Sequence, residues 1–388
     1  MKRYFLILLL GLSAILLSGC NKKTDDYLVK TMYLDAAFSI TPSVRVVGLA
    51  SDLLKLESLR DELSAITNDL DDVFNPAKTD SAIAAINAQA GIAPVVVSDE
   101  VLLVIEEALA VSIQSQVEGV ALYDVSILPV WEKWLFNLKY YSLFNDNRET
   151  IPTSQTIEEA LPLVDYEKII VNSEDKTVFL MEVGMKIDLG SIVKGYACDQ
   201  LKTYLLSIGL TRAIIDVGGN IMTMGYNFYN GDNHEWPIKI QTPYVNIYQS
   251  NYNETLYNET KFIGTYYDSD ITVVSSGVYE RYIKTEEGMD YHHILDPRTG
   301  YPMQSGLISV TILTQISMIA DAYSTASFSL GLSAGMRLVE EQPNMQAVFI
   351  TDQKEIYISS GLEGRFVFND QITSLGYTYK GVYNETGN

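Results

Sequence analysis

Leu56, Leu59, Leu63, Ile66 and Leu70 recur every three or four positions, so residues from about Ser51 to Val73 predict an amphipathic helix with one face on a core. Ser98 precedes a second apolar-periodic run, residues 101 to 113, and its hydroxyl suits an N-cap. The period then changes. KIIVNSEDKTVFLM, residues 168 to 181, alternates, turns and alternates again, as a β-hairpin does. Apolar runs at 213–217, 307–313 and 347–351 predict further strands. From about Tyr244 to Asp268 the patterning gives way to tyrosine and asparagine, which reads as a surface insertion. No repeat and no Gly/Ser-rich or Pro-rich linker divides the 388 residues, so the chain reads as one large, interwoven domain of helices and strands.

The first twenty residues follow another rule. Lys2 and Arg3 precede an apolar run from 4 to 17, shorter than the ~20 residues of a spanning helix, as a secretion leader requires. Its end, Leu17-Ser18-Gly19-Cys20, resembles the bacterial lipobox, in which the leader is cut before a cysteine that carries a lipid. The expected organisation is therefore a leader over 1–19, a membrane tether over 20–32 that starts at lipidated Cys20, and a catalytic or binding domain over 33–388 on the extracytoplasmic face of the membrane. Cys198 is the other of two cysteines, so the fold stands without an intrachain disulfide. A formal charge of −22 argues against nucleic acid as a partner. An anionic ligand needs local cations, helix N-termini or a metal to offset that field.

Four short stretches carry candidate chemistry. In IDLGSIVKGYACDQL, residues 187 to 201, a strand ending at Asp188 gives way at Gly190 to a helix starting near Ser191, which aims backbone N–H groups and Lys194 at a phosphate-sized guest. In IIDVGGNI, residues 214 to 221, Gly218 and Gly219 allow either close approach of a ligand or a plain tight turn. In IADAYSTASFSLG, residues 319 to 331, Asp321 and Thr325 lie four apart, one helical turn, and both are hard oxygen donors suited to Mg²⁺. The apolar flanks Ala320, Ala322, Ala326, Phe328 and Leu330 leave that carboxylate in need of a partner. Finally, YHHILDPRTGYP holds two of the three histidines just before a turn shaped by Pro297 and Gly300. On an extended strand one imidazole faces a site while its neighbour meets solvent.

Together these stretches resemble the FAD:protein FMN transferase family, also called the ApbE family. Patterns of the type DLGxxxKGYxxD, N-x-GGN, SGxYER, HIxDPxTGxP and ADAxxTA match residues 188–199, 216–220, 276–281, 293–302 and 320–326, and LDA at 34–36, FNPAKTDSAIAAIN at 74–87 and LYDVSILPVW at 122–131 extend the match upstream. The resemblance implies an α+β fold, a mixed, largely antiparallel sheet with packed helices. It implies FAD contacts at Leu34, Leu122, Tyr123, Asp124, Asp188, Lys194 and Ile294, and Mg²⁺ ligands at Ser191, Asp321 and Thr325. His293 maps to the family's catalytic histidine, suited to take a proton from an attacking hydroxyl, while His292 faces away. The implied reaction moves FMN from FAD to a Ser or Thr hydroxyl of an acceptor flavoprotein and releases AMP. A Mg²⁺-dependent FAD pyrophosphatase and a non-enzymatic FAD-binding lipoprotein are the alternatives. Three departures stand out: Ala77 where the family carries an aromatic residue, Asp216 for Asn before GGN, and Leu122-Tyr123 for Ala-Phe.

Overall fold

The computed structural model describes residues 27–53, 56–136, 151–229, 232–244, 254–279, 281–285 and 290–385. Nine strands form the main sheet: β1 (Tyr27–Tyr33), β2 (Ser43–Leu49), β3 (Ala213–Val217), β4 (Asn220–Met224), β5 (Thr272–Gly277), β6 (Leu307–Thr314), β7 (Gln346–Thr351), β8 (Glu355–Ile358) and β9 (Thr378–Val382). They lie side by side in chain order. Every neighbouring pair is antiparallel except β8 with β9. Sequential strands thus pair locally, and the long excursions between them carry the helices, most of them to one face.

Those helices are α1 (Ala50–Leu53), α2 (Leu59–Phe74), α3 (Ala82–Ala88), α4 (Asp99–Gln114), α5 (Leu128–Trp134), α6 (Ser154–Ala160), α7 (Val193–Ser207), α8 (Glu254–Thr260) and α9 (Ser317–Glu340). The main core joins inward residues of the sheet, among them Val46, Ile215 and Ile312, to Leu63 of α2, Leu201 of α7 and Phe328 of α9. The opposite face is covered by a three-stranded antiparallel sheet of Trp236–Gln241, Phe262–Asp268 and Val367–Phe368. Its Ile240, Ile263 and Tyr266 pack in a second core with Val273, Leu313 and Ile350. The tyrosines at the end of this stretch therefore mislead: Ile263 is 0% exposed and Phe262–Asp268 is a packed strand whose Ile263 and Tyr266 face the main sheet, while residues 245–253 of the expected insertion lie outside the described residues.

The mixed, largely antiparallel α+β architecture agrees with expectation, and two boundaries move. The predicted helix from Ser51 breaks into α1 and α2, with residues 56–58 outside both. The expected tether is strand β1 from Tyr27 onward, paired along its length with β2. The lipobox and Cys20 lie outside the described residues. Elsewhere local signals hold: the Ser98 hydroxyl accepts from the Val101 amide and caps α4, and Ile169–Asn172 pairs with Thr177–Leu180 as the hairpin.

Candidate functional site

The Asp188 stretch belongs to no strand, contrary to expectation. Its backbone is held sideways, by Ile187 N–H donating to Asn87 Oδ1 at 2.7 Å and Asp188 N–H donating to the Val125 carbonyl at 2.9 Å. Helix α7 begins at Val193, so Ser191 lies just ahead of it and Lys194 is its second residue. Asp188 accepts from the Gly190 amide, and burial raises its carboxyl above the usual range although Lys194 and Arg281 pull it down. Lys194 Nζ donates to the Gly190 carbonyl at 2.6 Å and stands 3.8 Å from Asp321 Oδ2.

Tyr123 and Asp124 reach the same place from another direction. The end of α4 holds Leu122 and Tyr123, whose amides donate to the Ser115 carbonyl and Oγ. Ser191 Oγ donates to the Tyr123 hydroxyl at 3.0 Å. Burial first, and then the charges of Asp321, Asp188 and Asp124, hold the Tyr123 hydroxyl protonated far above the ordinary phenol range. Asp124 accepts from the Ser126 amide and hydroxyl and from the Tyr166 amide, yet its burial still raises its carboxyl.

Helix α9 supplies the third wall. Asp321 is 4% exposed and its Oδ2 accepts from the Gly195 amide at 3.0 Å. None of the described hydrogen bonds uses Oδ1. One turn on, Thr325 Oγ1 lies 3.1 Å from Ser276 Oγ of β5. Among the described residues no group of three or more His, Cys, Asp or Glu side chains could hold a metal. A single carboxylate with neutral oxygens from Thr325 and Ser191 is nonetheless a donor set that fits Mg²⁺, which retains waters and takes substrate phosphates as further ligands.

The histidines sit on a two-stranded ribbon, Tyr282–Lys284 with Asp290–His292. Alternation holds, but the expectation that His292 meets solvent does not. Tyr291 and His293 face Trp134 and Phe136, whereas His292 is 7% exposed and stands edge-on to Phe328 of α9 at 5.8 Å. Both sides of the ribbon are covered. His292 Nε2 is 3.0 Å from the Met303 carbonyl, and burial lowers its pKa to about 4. His293 Nδ1 is 3.1 Å from the Arg281 carbonyl. A carbonyl can only accept, so Nδ1 carries the proton and Nε2 keeps a free lone pair. Burial, then the Arg281 charge, lowers the His293 pKa to about 3, with a smaller push from Lys194. The turn after the pair is pinned by Trp134 Nε1 donating to the Gly300 carbonyl at 2.9 Å.

Tyr123, Asp124, Asp188, Ser191, Lys194, His293 and Asp321 thus share one electrostatic neighbourhood, with Thr325 one turn along α9. Leu34, Leu122 and Ile294 are buried in the main core, and no described hydrogen bond or ion pair ties Leu34 to that group. Gly218 and Gly219, with φ of 63° and 92°, form the tight turn between β3 and β4. Arg281 and Asp199 were not among the candidates, although Arg281 ends the SGxYER pattern and Asp199 ends the DLGxxxKGYxxD pattern that holds Asp188 and Lys194.

A model of the ApbE family matches residues 36–349. The chain belongs to the ApbE family. A FAD:protein FMN transferase of Klebsiella pneumoniae is 30% identical over 318 residues, 81% of this chain and 90% of that protein. One of Treponema pallidum is 32% identical over 303 residues, 76% of this chain and 77% of that protein. Among solved structures, an ApbE protein of Thermotoga maritima superposes with a TM-score of 0.70 at 26% identity, covering 87% of this chain and 99% of its own. The flavin transferase ApbE of Vibrio cholerae gives 0.71 at 22% identity, covering 88% and 99%, a likeness of fold.

Proposed function

We propose that this ApbE-family chain is a FAD:protein FMN transferase. It moves FMN from FAD to a Ser or Thr hydroxyl of an acceptor flavoprotein and releases AMP, with Mg²⁺ as cofactor, while anchored through lipidated Cys20 to the extracytoplasmic face of the membrane. The names of the Klebsiella and Treponema relatives support the class of reaction. The observation that carries the mechanism is His293: its Nδ1 proton is committed to the Arg281 carbonyl, so Nε2 is left as a base.

His293 Nε2 takes the proton of the incoming hydroxyl, and the hydroxyl oxygen attacks the FMN phosphorus of the diphosphate. The bond from that phosphorus to the bridging oxygen breaks, AMP carries the bridging oxygen away, and the acceptor keeps FMN as a phosphoester. Lys194 and Arg281 face the diphosphate as fixed cations, and positioning with charge neutralisation supplies most of the catalysis in such transfers. Bound diphosphate adds negative charge beside His293, which offsets the two cations and raises its basicity when a base is needed. Asp321, Thr325 and Ser191 would hold Mg²⁺, which supplies charge stabilisation at the phosphoryl oxygens. Asp188, Asp124 and Tyr123 border the same space as hydrogen-bonding groups for the nucleotide.

The test incubates the protein with FAD and Mg²⁺, with and without a candidate acceptor domain, and follows AMP together with protein-bound flavin fluorescence. AMP release coupled to covalent flavin on the acceptor is expected. AMP with free FMN and an unmodified acceptor makes the protein a pyrophosphatase, and FAD binding without AMP makes it a carrier. Either result overturns the proposal.

A further inference from the structure

Helices α7 and α9 pack antiparallel, and two contacts one turn apart fix their register. At one level the Gly195 amide donates to Asp321 Oδ2 at 3.0 Å. Four residues along α7 and four back along α9, the two oxygens of Asp199 accept from the first amides of α9, Ser317 N–H at 3.0 Å and Met318 N–H at 2.8 Å. Those amides have no partner within their own helix, and Ile316, the residue at the N-cap position, makes no side-chain cap. The cap therefore comes from a different helix. Gly195 makes the approach possible, because a Cβ there would stand 2.1 Å from the Ser317 carbonyl oxygen. Thr272 of β5 donates to Ser317 Oγ at 2.9 Å and steadies the same residue from the sheet side.

We infer that Asp199 is a positioning residue: by capping α9 from α7 it sets the rotation and height of the first turn of α9, and so delivers the Asp321 carboxylate to the space shared with Ser191 and Lys194. This rests on the proposed metal-dependent transfer for its meaning, but not for its geometry. A carboxylate bridging two N–H groups across helices fixes position along the axis and rotation about it, which one hydrogen bond does not. Metal binding is sensitive to that placement, since Mg²⁺ demands near-ideal geometry from the few protein oxygens it takes.

The experiment compares the full chain with Asp199→Asn and Gly195→Ala. Mn²⁺ binding is followed by electron paramagnetic resonance in the presence of FAD, thermal unfolding is measured without metal, and amide exchange is read at Ser317 and Met318. Asp199→Asn keeps one acceptor and loses one. The expected outcome is folded protein with faster exchange at these amides and Mn²⁺ half-saturation raised by about tenfold or more. Gly195→Ala, which leaves the Asp199 charge in place but displaces the same turn, should weaken Mn²⁺ in the same direction. Unchanged Mn²⁺ affinity in Asp199→Asn despite faster exchange overturns the inference, and outright unfolding makes Asp199 a stability residue and overturns it too. Wild-type protein that binds Mn²⁺ with FAD yet transfers no flavin leaves the positioning role intact and refutes the transferase reading instead.

Discussion

At the scale of single residues, His293 and His292 differ in what their free nitrogen can do. His293 Nε2 carries a lone pair beside Arg281 and Lys194, whereas the free Nδ1 of His292 is buried without a partner. His293→Asn should cut flavin transfer by the ~10²–10⁴ of a lost general base, measured in single turnovers with FAD binding checked separately; normal turnover would remove His293 from the mechanism. With its pKa lowered to about 3, His293 is neutral throughout the physiological range. The kcat/KM profile should show no acid limb from this imidazole near the ordinary histidine value, and a limb there that persists in Asp199→Asn would mean that the imidazole titrates in the free enzyme. Ala77 is exposed in the turn after α2, where its amide donates to Asn75 Oδ1. Ala77→Tyr should tighten FAD by about 0.5–1.5 kcal/mol if the flavin ring lies against that turn, and unchanged affinity places the ring elsewhere.

At the scale of elements, the ribbon that carries the histidines is held by its turn. Gly300 has φ of +73°, and a Cβ on it would stand 2.5 Å from Ile157 Cγ2 of α6. Gly300→Ala combines about 1–2 kcal/mol of left-handed strain with overpacking against α6, so the denaturant midpoint should fall clearly. An unchanged midpoint would show that α6 gives way freely. The short helices α5 and α6 owe their stability to this packing, in a separate cluster of Val130, Trp134, Phe136, Ile157 and Leu295.

At the scale of the whole molecule, the buried histidines tie stability to pH. As pH falls through 6.5 the unfolded chain protonates His292, while the native chain resists until about 4. Its contribution is therefore present above 6.5 and lost on acidification. Asp199, raised to about 6 chiefly by burial, acts in the opposite sense: its contribution is present below the ordinary carboxylate range and lost as pH rises through 6. Comparison of wild type with His292→Gln isolates the first effect. The stability advantage of wild type should shrink by about 1.4 kcal/mol per pH unit between 6 and 4.5, and a constant gap would show that His292 titrates normally in the fold. Cys20→Ser should move the protein from the membrane fraction to the soluble one with transfer to a soluble acceptor intact; unchanged fractionation would argue for another anchor.

The sequence by itself determined the elements with local causes. The Ser98 cap, the 168–181 hairpin, strand β3 and the Asp321–Thr325 pair follow from spacing and turn chemistry that act within a few residues. The family patterns marked most of the residues that gather at the site. What needed the tertiary structure were relations between distant segments. Alternation separates His292 from His293 but does not say that both faces of the ribbon are covered, because Phe328 comes from a helix beginning 25 residues later. The same limit hid the strand 262–268, whose Ile263 and Tyr266 face the second core only once the main sheet exists. It hid Asp199, whose partners lie 118 and 119 residues away. A carboxylate that caps a foreign helix leaves no periodic trace in its own.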